Sequence, residues 1–304
     1  MAILLTGASG FLGSYLFKKL QAKYDVIGTY RSRLSDVGYR GVKIDVKPTT
    51  DWSSHLDNIN CVVYCLGLAH VTNEGVDMLE QFRNVNCLSA LNLAKQAASQ
   101  GVDRFVYISS IGVNGLSTER PFKNNDECNP SESYAISKYE AELGLKQISK
   151  ETGMEIVIIR PPLIYGKGAP GNFGKFIKLV KLGLPLPLGS LNNKRSLVGL
   201  DNLVDLISIC IVHPKAANQV FLVSDDYDIS TTELLELMIF SCGGRASLLS
   251  VHVNILKACA YIVGKKNIID RMNSNLQIDI SHTKNTLSWE PSVSVEEGID
   301  RCFK

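Results

Sequence analysis

Thr6-Gly7-Ala8-Ser9-Gly10-Phe11-Leu12-Gly13 follows directly on the apolar run Ala2-Ile3-Leu4-Leu5, and it opens the stretch 11–22, whose apolar residues at 12, 16 and 20 recur at helical spacing. The octet therefore joins a short buried strand to a helix. A dinucleotide site at such a junction needs a tight turn, close approach of backbone to a pyrophosphate, and close helix–strand packing, so each glycine has its own steric task. The helix start adds free N–H groups and a partial positive charge for phosphates. Gly7, Ser9, Gly10, Phe11, Leu12 and Gly13 are the candidate contacts. The spacing is G-x-x-G-x-x-G, and a purely structural turn is the plain alternative.

Outward from this junction, short apolar runs alternate with longer helical patterns. Strands are expected at 26–30, 42–46, 61–66, 104–109 and 155–159, with helices at 79–98 and 133–148. Strands separated by helices at these intervals form a parallel sheet with right-handed crossovers, a doubly wound α/β fold. After Arg160 the texture changes: Pro161-Pro162, Gly166, Gly168, Pro170-Gly171, Gly183, Pro185, Pro187 and Gly189 punctuate a looped region. We expect a dinucleotide-binding domain over 1–165, with segments near 196–224 returning to the sheet, and a smaller substrate-binding lobe over 166–304.

Composition narrows the function classes. The 304 residues are 45% hydrophobic and 20% charged, with a net charge of +2. That balance fits a globular chain with a sizeable core and gives no clustered basic surface for nucleic acid. Eight cysteines at 61, 65, 87, 128, 210, 242, 259 and 302 show neither CxxC pairs nor zinc spacing, so no metal site is expected and a reducing cytoplasm is the simpler setting. The amino terminus has no basic n-region, and no apolar run reaches a membrane span of about 18 residues. The most apolar helical candidate, 251–263, is interrupted by Lys257 and reads as a core helix.

The end of the second strand bears on the cofactor. An acid there would bond the adenosine ribose of NAD, whereas an arginine pairs with the extra phosphate of NADP. Gly28-Thr29-Tyr30-Arg31-Ser32-Arg33 holds no acid, so Arg31, helped by Arg33, points to NADP, with NAD as the alternative. Asp45 and Val46, closing the third strand, are placed to contact the adenine.

Hydride chemistry at a carbonyl needs a proton donor beside the oxygen. A Tyr with a Lys four residues on supplies one, because the two share a helix face and the ammonium lowers the phenol pKa. Y-x-x-x-K occurs at Tyr15/Lys19, Tyr39/Lys43, Tyr134/Lys138 and Tyr261/Lys265. Only Tyr134/Lys138 begins a helix just beyond the fifth strand, whose end carries Ser109-Ser110 at the carboxyl edge where such sheets bind ligands. Ser110, Tyr134 and Lys138 are the catalytic candidates.

These residues resemble the extended short-chain dehydrogenase/reductases, a Rossmann-like family that includes nucleotide-sugar epimerases and reductases. The resemblance runs through Ser109-Ser110-Ile111-Gly112-Val113-Asn114-Gly115, Tyr134-Ala135-Ile136-Ser137-Lys138, Arg160-Pro161-Pro162-Leu163-Ile164-Tyr165-Gly166, Arg195-Ser196-Leu197-Val198 and Leu287-Ser288-Trp289-Glu290-Pro291. It implies a UDP-sugar substrate, with Leu66, Gly67 and Pro161 lining the cofactor. Asn172 and Arg195 would hold the nucleotide diphosphate, with Arg271 a second arginine and His70 near the sugar. It also implies a homodimer through the helices 79–98 and 133–148. Ile111 and Gly112 stand where the family's dehydratases carry acids, so dehydration is not expected. The Asn of the family's R-x-x-N is replaced by Leu163. With Arg31, this favours NADPH-dependent reduction of a UDP-linked 4-keto-6-deoxy-N-acetylhexose for surface polysaccharide. An NAD-dependent UDP-sugar 4-epimerase is the alternative, and a non-catalytic dinucleotide sensor a remote one.

Overall fold

The computed structural model describes residues 1–31, 40–69, 78–262, 264 and 266–304. The first half runs β1 (Ala2–Thr6), α1 (Phe11–Leu20), β2 (Asp25–Tyr30), β3 (Gly41–Lys43), β4 (Cys61–Tyr64), α2 (Met78–Phe82), a π-helical stretch (Arg83–Leu88) and α3 (Ser89–Ser99). Next come β5 (Arg104–Ile108), a 3-10 turn (Ile111–Val113; others lie at Ser53–His55 and Pro214–Ala216), α4 (Ser133–Thr152), β6 (Glu155–Arg160) and β7 (Leu163–Tyr165). The remainder comprises α5 (Gly171–Lys181), β8 (Arg195–Gly199), α6 (Leu200–Val212), β9 (Val220–Leu222) and β10 (Asp228–Ile229). Helices α7 (Thr231–Ser241), α8 (Val253–Ile262), α9 (Lys266–Met272), α10 (Ser281–Leu287) and α11 (Val295–Arg301) complete it.

The central sheet has seven strands in the order β3-β2-β1-β4-β5-β6-β9. Every pairing in it is parallel. Its strands are nearly all apolar because both faces are covered, as parallel sheets require. Successive side chains serve opposite layers. Ile3, Leu5, Val63, Val106 and Ile159 pack with Leu16 and Phe17 of α1 and Leu203 and Ile207 of α6. Leu4, Val62, Phe105 and Ile158 pack with Leu93 and Ala94 of α3 and Ala141 and Leu145 of α4. The chain winds outward from β1 in both directions, so the switch point lies between β1 and β4, where ligands of such sheets bind.

A second, three-stranded sheet of order β10-β8-β7 lies in the carboxyl half, so of the segments near 196–224 only β9 joins the main sheet while β8 pairs with β7 and β10. A third core, including Tyr165, Phe173, Leu191, Leu235, Met238 and Ile299, holds this half together.

Three local expectations need correction. The third strand is Gly41–Lys43, shorter than 42–46, so Asp45 and Val46 lie beyond its end. The helical run 79–98 is broken by six π-helical residues. The apolar stretch 251–263 is not a core helix: in α8 only Leu256 and Ala260 are buried, whereas Ile255, Tyr261 and Ile262 are exposed. A helix that packs through one stripe leaves its other faces in water whatever their composition. All eight cysteines are free thiols. Among the described residues no helix is long and apolar enough to cross a membrane.

Candidate active site

The glycine octet sits at the carboxyl edge of β1. Gly7 has φ +71°, a backbone state that side chains rarely adopt, and it lies against β4's exit: a Cβ there would be 3.2 Å from Leu66 Cα. A Cβ on Gly13 would lie 2.1 Å from the Gly7 carbonyl oxygen, so only glycine lets α1 start this close to the turn. Ala8 N–H donates to Thr29 O at 3.0 Å, which ties the loop to β2. Helix α1 has Gly10 as N-cap, no side-chain cap and no acid in its first turn. Its first-turn amides have no intrahelical acceptors and its positive end is uncompensated, so the loop fits a dinucleotide pyrophosphate.

Farther along the edge, a Cβ on Gly67 would stand 3.5 Å from Lys138 Nζ and 3.7 Å from Asn86 Oδ1, which places the β4 exit against α4 and the π-helical stretch. At the other side Arg31 is exposed just past β2. Asp45 is exposed and pairs with Lys47 at 3.1 Å, while Val46 packs on the α3–α4 layer. His70 and Arg33 lie outside the described residues.

Ser110, in extended conformation, caps the 3-10 turn by accepting the Gly112 N–H at 3.1 Å. That turn rests on α4: a Cβ on Gly112 would be 3.3 Å from Ala135 Cβ. The sequence pairs that competed with Tyr134/Lys138 sit elsewhere. Tyr15 is on α1, facing a cavity of about 220 Å³ lined also by Tyr165, Asp201 and Arg301. Lys43 ends β3 and Tyr261 is exposed on α8, whereas Tyr39 and Lys265 are outside the described residues.

Lys138 is 2% exposed. Its Nζ donates to Ile108 O at 2.8 Å and lies 4.7 Å from the Tyr107 ring centroid and 6.0 Å from that of Tyr134. Burial lowers its pKa to about 8. Burial also pushes the Tyr134 phenol up to about 12, against the expected lowering. The reason is geometric: the ammonium is spent on a carbonyl, and its attraction does not outweigh the desolvation of a phenolate.

Arg195 is held in place rather than free. One of its terminal nitrogens donates to Arg271 O at 3.0 Å and to Ser274 O and Oγ at 3.2 and 3.1 Å. Burial, and then the neighbouring Arg271 charge, lower its pKa, so two guanidinium groups face one region. Arg271 pairs with Glu132 at 3.0 Å, two residues before Tyr134. Asn172 stands exposed in the first turn of α5. Pro161 O accepts Ile111 N–H at 2.9 Å, anchoring the turn that follows Ser110.

Residues 3–224 match the NAD dependent epimerase/dehydratase family. The chain belongs to that family. It is 45% identical to a UDP-glucose 4-epimerase of Vibrio cholerae over 98% of this chain and 93% of the relative. Two solved structures share its fold along its full length. One is a UDP-glucuronic acid 4-epimerase from Bacillus cereus in complex with NAD (TM-score 0.81, 18% identity, 97% of that chain). The other is a UDP-glucose 4-epimerase from Thermotoga maritima with UDP-glucose (TM-score 0.77, 20% identity, 97% of that chain).

Two features of this family member escaped sequence reasoning. Asn86, fully buried in the π-helical stretch, accepts Leu68 N–H at 2.8 Å and donates to Leu68 O and Ser137 Oγ at 3.3 and 3.0 Å. It joins the β4 exit to α4. Its signal was an asparagine in a run that otherwise continues helically into Ala90 and Leu93. Glu142 and Arg160 form a buried pair behind the site. Their available signal was the i+4 spacing of Glu142 from Lys138.

Proposed function

We propose that the chain interconverts UDP-hexoses at C4 and holds NAD while doing so. The observation that carries this reading is the identity with the Vibrio cholerae epimerase along nearly the whole chain, over a site that keeps Ser110, Tyr134 and Lys138 on adjoining elements. It reverses the order of the two enzymatic readings drawn from sequence, in which reduction came first.

In this reading Tyr134 Oη takes the proton of the C4 hydroxyl as the carbonyl forms and returns it when the carbonyl is reduced. Ser110 Oγ donates a hydrogen bond to the same sugar oxygen. Lys138 holds an ammonium 6.0 Å from the Tyr134 ring centroid, a charge that reduces but does not outweigh the burial cost of a phenolate there. The dinucleotide, when bound, supplies the hydride acceptor and donor. Residues 166–304 mainly serve the substrate, with Arg195, Arg271 and Asn172 around the diphosphate; guanidinium forks suit phosphate oxygens. A second copy would pack on α3 and α4, beside which Leu88 and Leu143 are about half exposed.

Reduction of a 4-keto sugar by NADPH is the second reading, and Arg31 at the end of β2 favours it. One assay separates the two. Purified protein is incubated with UDP-glucose or UDP-N-acetylglucosamine without added cofactor, and separately with a UDP-4-keto-6-deoxy sugar and NADPH. Cofactor-free epimerisation, with NAD released on denaturation, is expected; NADPH consumption without epimerisation would overturn it. Tyr134→Phe should abolish turnover while keeping the cofactor bound.

A further inference from the structure

The segments that carry the candidate catalytic residues meet on one buried ion pair. Glu142 is 0% and Arg160 2% exposed. Arg160 Nε donates to Glu142 Oε1 at 2.9 Å, and one terminal nitrogen donates to Glu142 Oε2 at 2.5 Å and to Cys128 Sγ at 3.2 Å. The other terminal nitrogen donates to Asn114 Oδ1 at 2.9 Å. Ser109 Oγ donates to Glu142 Oε1 at 2.5 Å. Thus α4, the end of the turn after Ser110, the loop before α4 and the residue preceding Ser110 all reference one guanidinium–carboxylate pair. Ser110 lies between Ser109, bonded to Glu142, and Ile111, whose N–H is bonded to the residue after Arg160.

We propose that the Glu142–Arg160 pair is a positioning device that sets Ser110 against Tyr134 and Lys138; this rests on the catalytic assignment above. Stability alone does not explain an ion pair here. Desolvating two charges costs about as much as their attraction returns, and well-packed apolar residues of similar volume often hold a fold equally well. What the pair adds is direction: a planar fork fixes several acceptors at set angles, which neither an apolar pair nor a lysine reproduces. Neither residue needs to touch substrate to do this.

The test uses the full-length protein in three variants, Glu142→Met/Arg160→Met together, Glu142→Gln alone and Arg160→Lys alone. Thermal midpoint, retained dinucleotide, KM, kcat and the pH profile are read for each, with Tyr134→Phe as control. The double variant is expected to keep its fold and dinucleotide and a KM within about threefold, while kcat falls on the order of 100-fold, the size of effect a misplacement near 1 Å produces. Arg160→Lys should lose kcat in the same direction, since charge without the fork does not suffice. In Glu142→Gln the alkaline limb should also move to lower pH. Lys138 faces the Ile108 carbonyl and Tyr107 of β5, the Cys65 thiol beyond β4, and Tyr134 and Glu142 of its own helix. Glu142 is the anion among them. Wild-type kcat in the double variant would overturn the proposal. So would losses that track the folded fraction with an unmoved pH limb. If the double variant does not fold, the isosteric Glu142→Gln carries the same test. An active Tyr134→Phe would remove the catalytic assignment itself, whereas an inactive Tyr134→Phe beside fully active pair variants would remove only the positioning role.

Discussion

Replacing Gly13 by alanine should cost both stability and dinucleotide affinity. The added methyl would sit 2.1 Å from Gly7 O, 2.8 Å from Gly7 C and 3.1 Å from Ala8 Cα. Unstrained contacts between carbon and its neighbours lie at roughly 3.5 Å, so the helix start and the turn must part by more than about 1 Å. The turn has little room to give, because Gly7 is backed by Leu66 and Ala8 is bonded to β2. Helix α1 must therefore shift, carrying its first-turn amides with it. Overpacking of this kind costs about 1–3 kcal/mol in stability. Losing one charge-assisted amide–phosphate bond costs about 1.5–3 kcal/mol in binding, roughly 10- to 150-fold in Kd. Fluorescence titration with NADH and thermal melting of dinucleotide-free protein measure the two separately. An unchanged Kd beside a lowered melting point would mean that the start of α1 is not where the phosphates bind. If neither changed, the packing account of Gly13 would be wrong.

Two further substitutions test the inner part of the site. Lys138→Met should inactivate the enzyme yet stabilise it. The folded pKa near 8 lies below the usual 10.5, so the burial penalty on the ammonium is full below pH 8 and shrinks as pH rises towards 10.5. Net of the hydrogen bond lost to Ile108 O, about 1–2 kcal/mol should be gained at pH 7 and fade by alkaline pH, as read from urea unfolding; a loss at pH 7 would contradict it. Asn86→Ala removes the partner of Leu68 N–H, Leu68 O and Ser137 Oγ, and should destabilise by about 2–4 kcal/mol and loosen the β4 exit. Faster exchange of the Leu68 amide is the expected readout, and unchanged protection would refute the clamp.

How far the sequence reaches is decided by the range of the interaction involved. The octet 6–13 declares its turn because the constraint is local: Gly7 and Gly13 are close in the chain and in space. The strand runs declare a doubly covered sheet because every residue from Ile3 to Leu5 is apolar, and each in turn serves one layer or the other. Asn86 is less legible, since 79–98 has an unbroken helical composition and the π-helical step arises where Asn86 bonds Leu68 and Ser137 of other segments. The Glu142–Arg160 pair joins two elements 18 residues apart, and no local pattern announces that both side chains turn inward together. For 251–263, apolar composition shows what the helix could bury but not whether a neighbour covers it.

The electrostatics of the pair bear on the choice between the two enzymatic readings. Burial moves Tyr134 up to about 12 and Lys138 down to about 8, so at neutral pH the phenol keeps its proton and the amine is still charged. A protonated phenol beside a carbonyl oxygen is already a proton donor, the state that reduction requires. Oxidation of an alcohol requires the phenolate, and that form gains only when further positive charge comes close to Tyr134 in the same dry site. An oxidised nicotinamide ring carries such a charge and a reduced one does not. An epimerase must alternate between these two protonation states within one turnover, so it benefits from a cofactor that stays bound. A reductase needs only the protonated phenol. Tyr134 titrating far lower with NAD retained than in dinucleotide-free protein, followed through its ultraviolet difference spectrum, would mark the site as built for both directions. A phenol that stays near 12 with NAD bound would mark it as a one-way reductase.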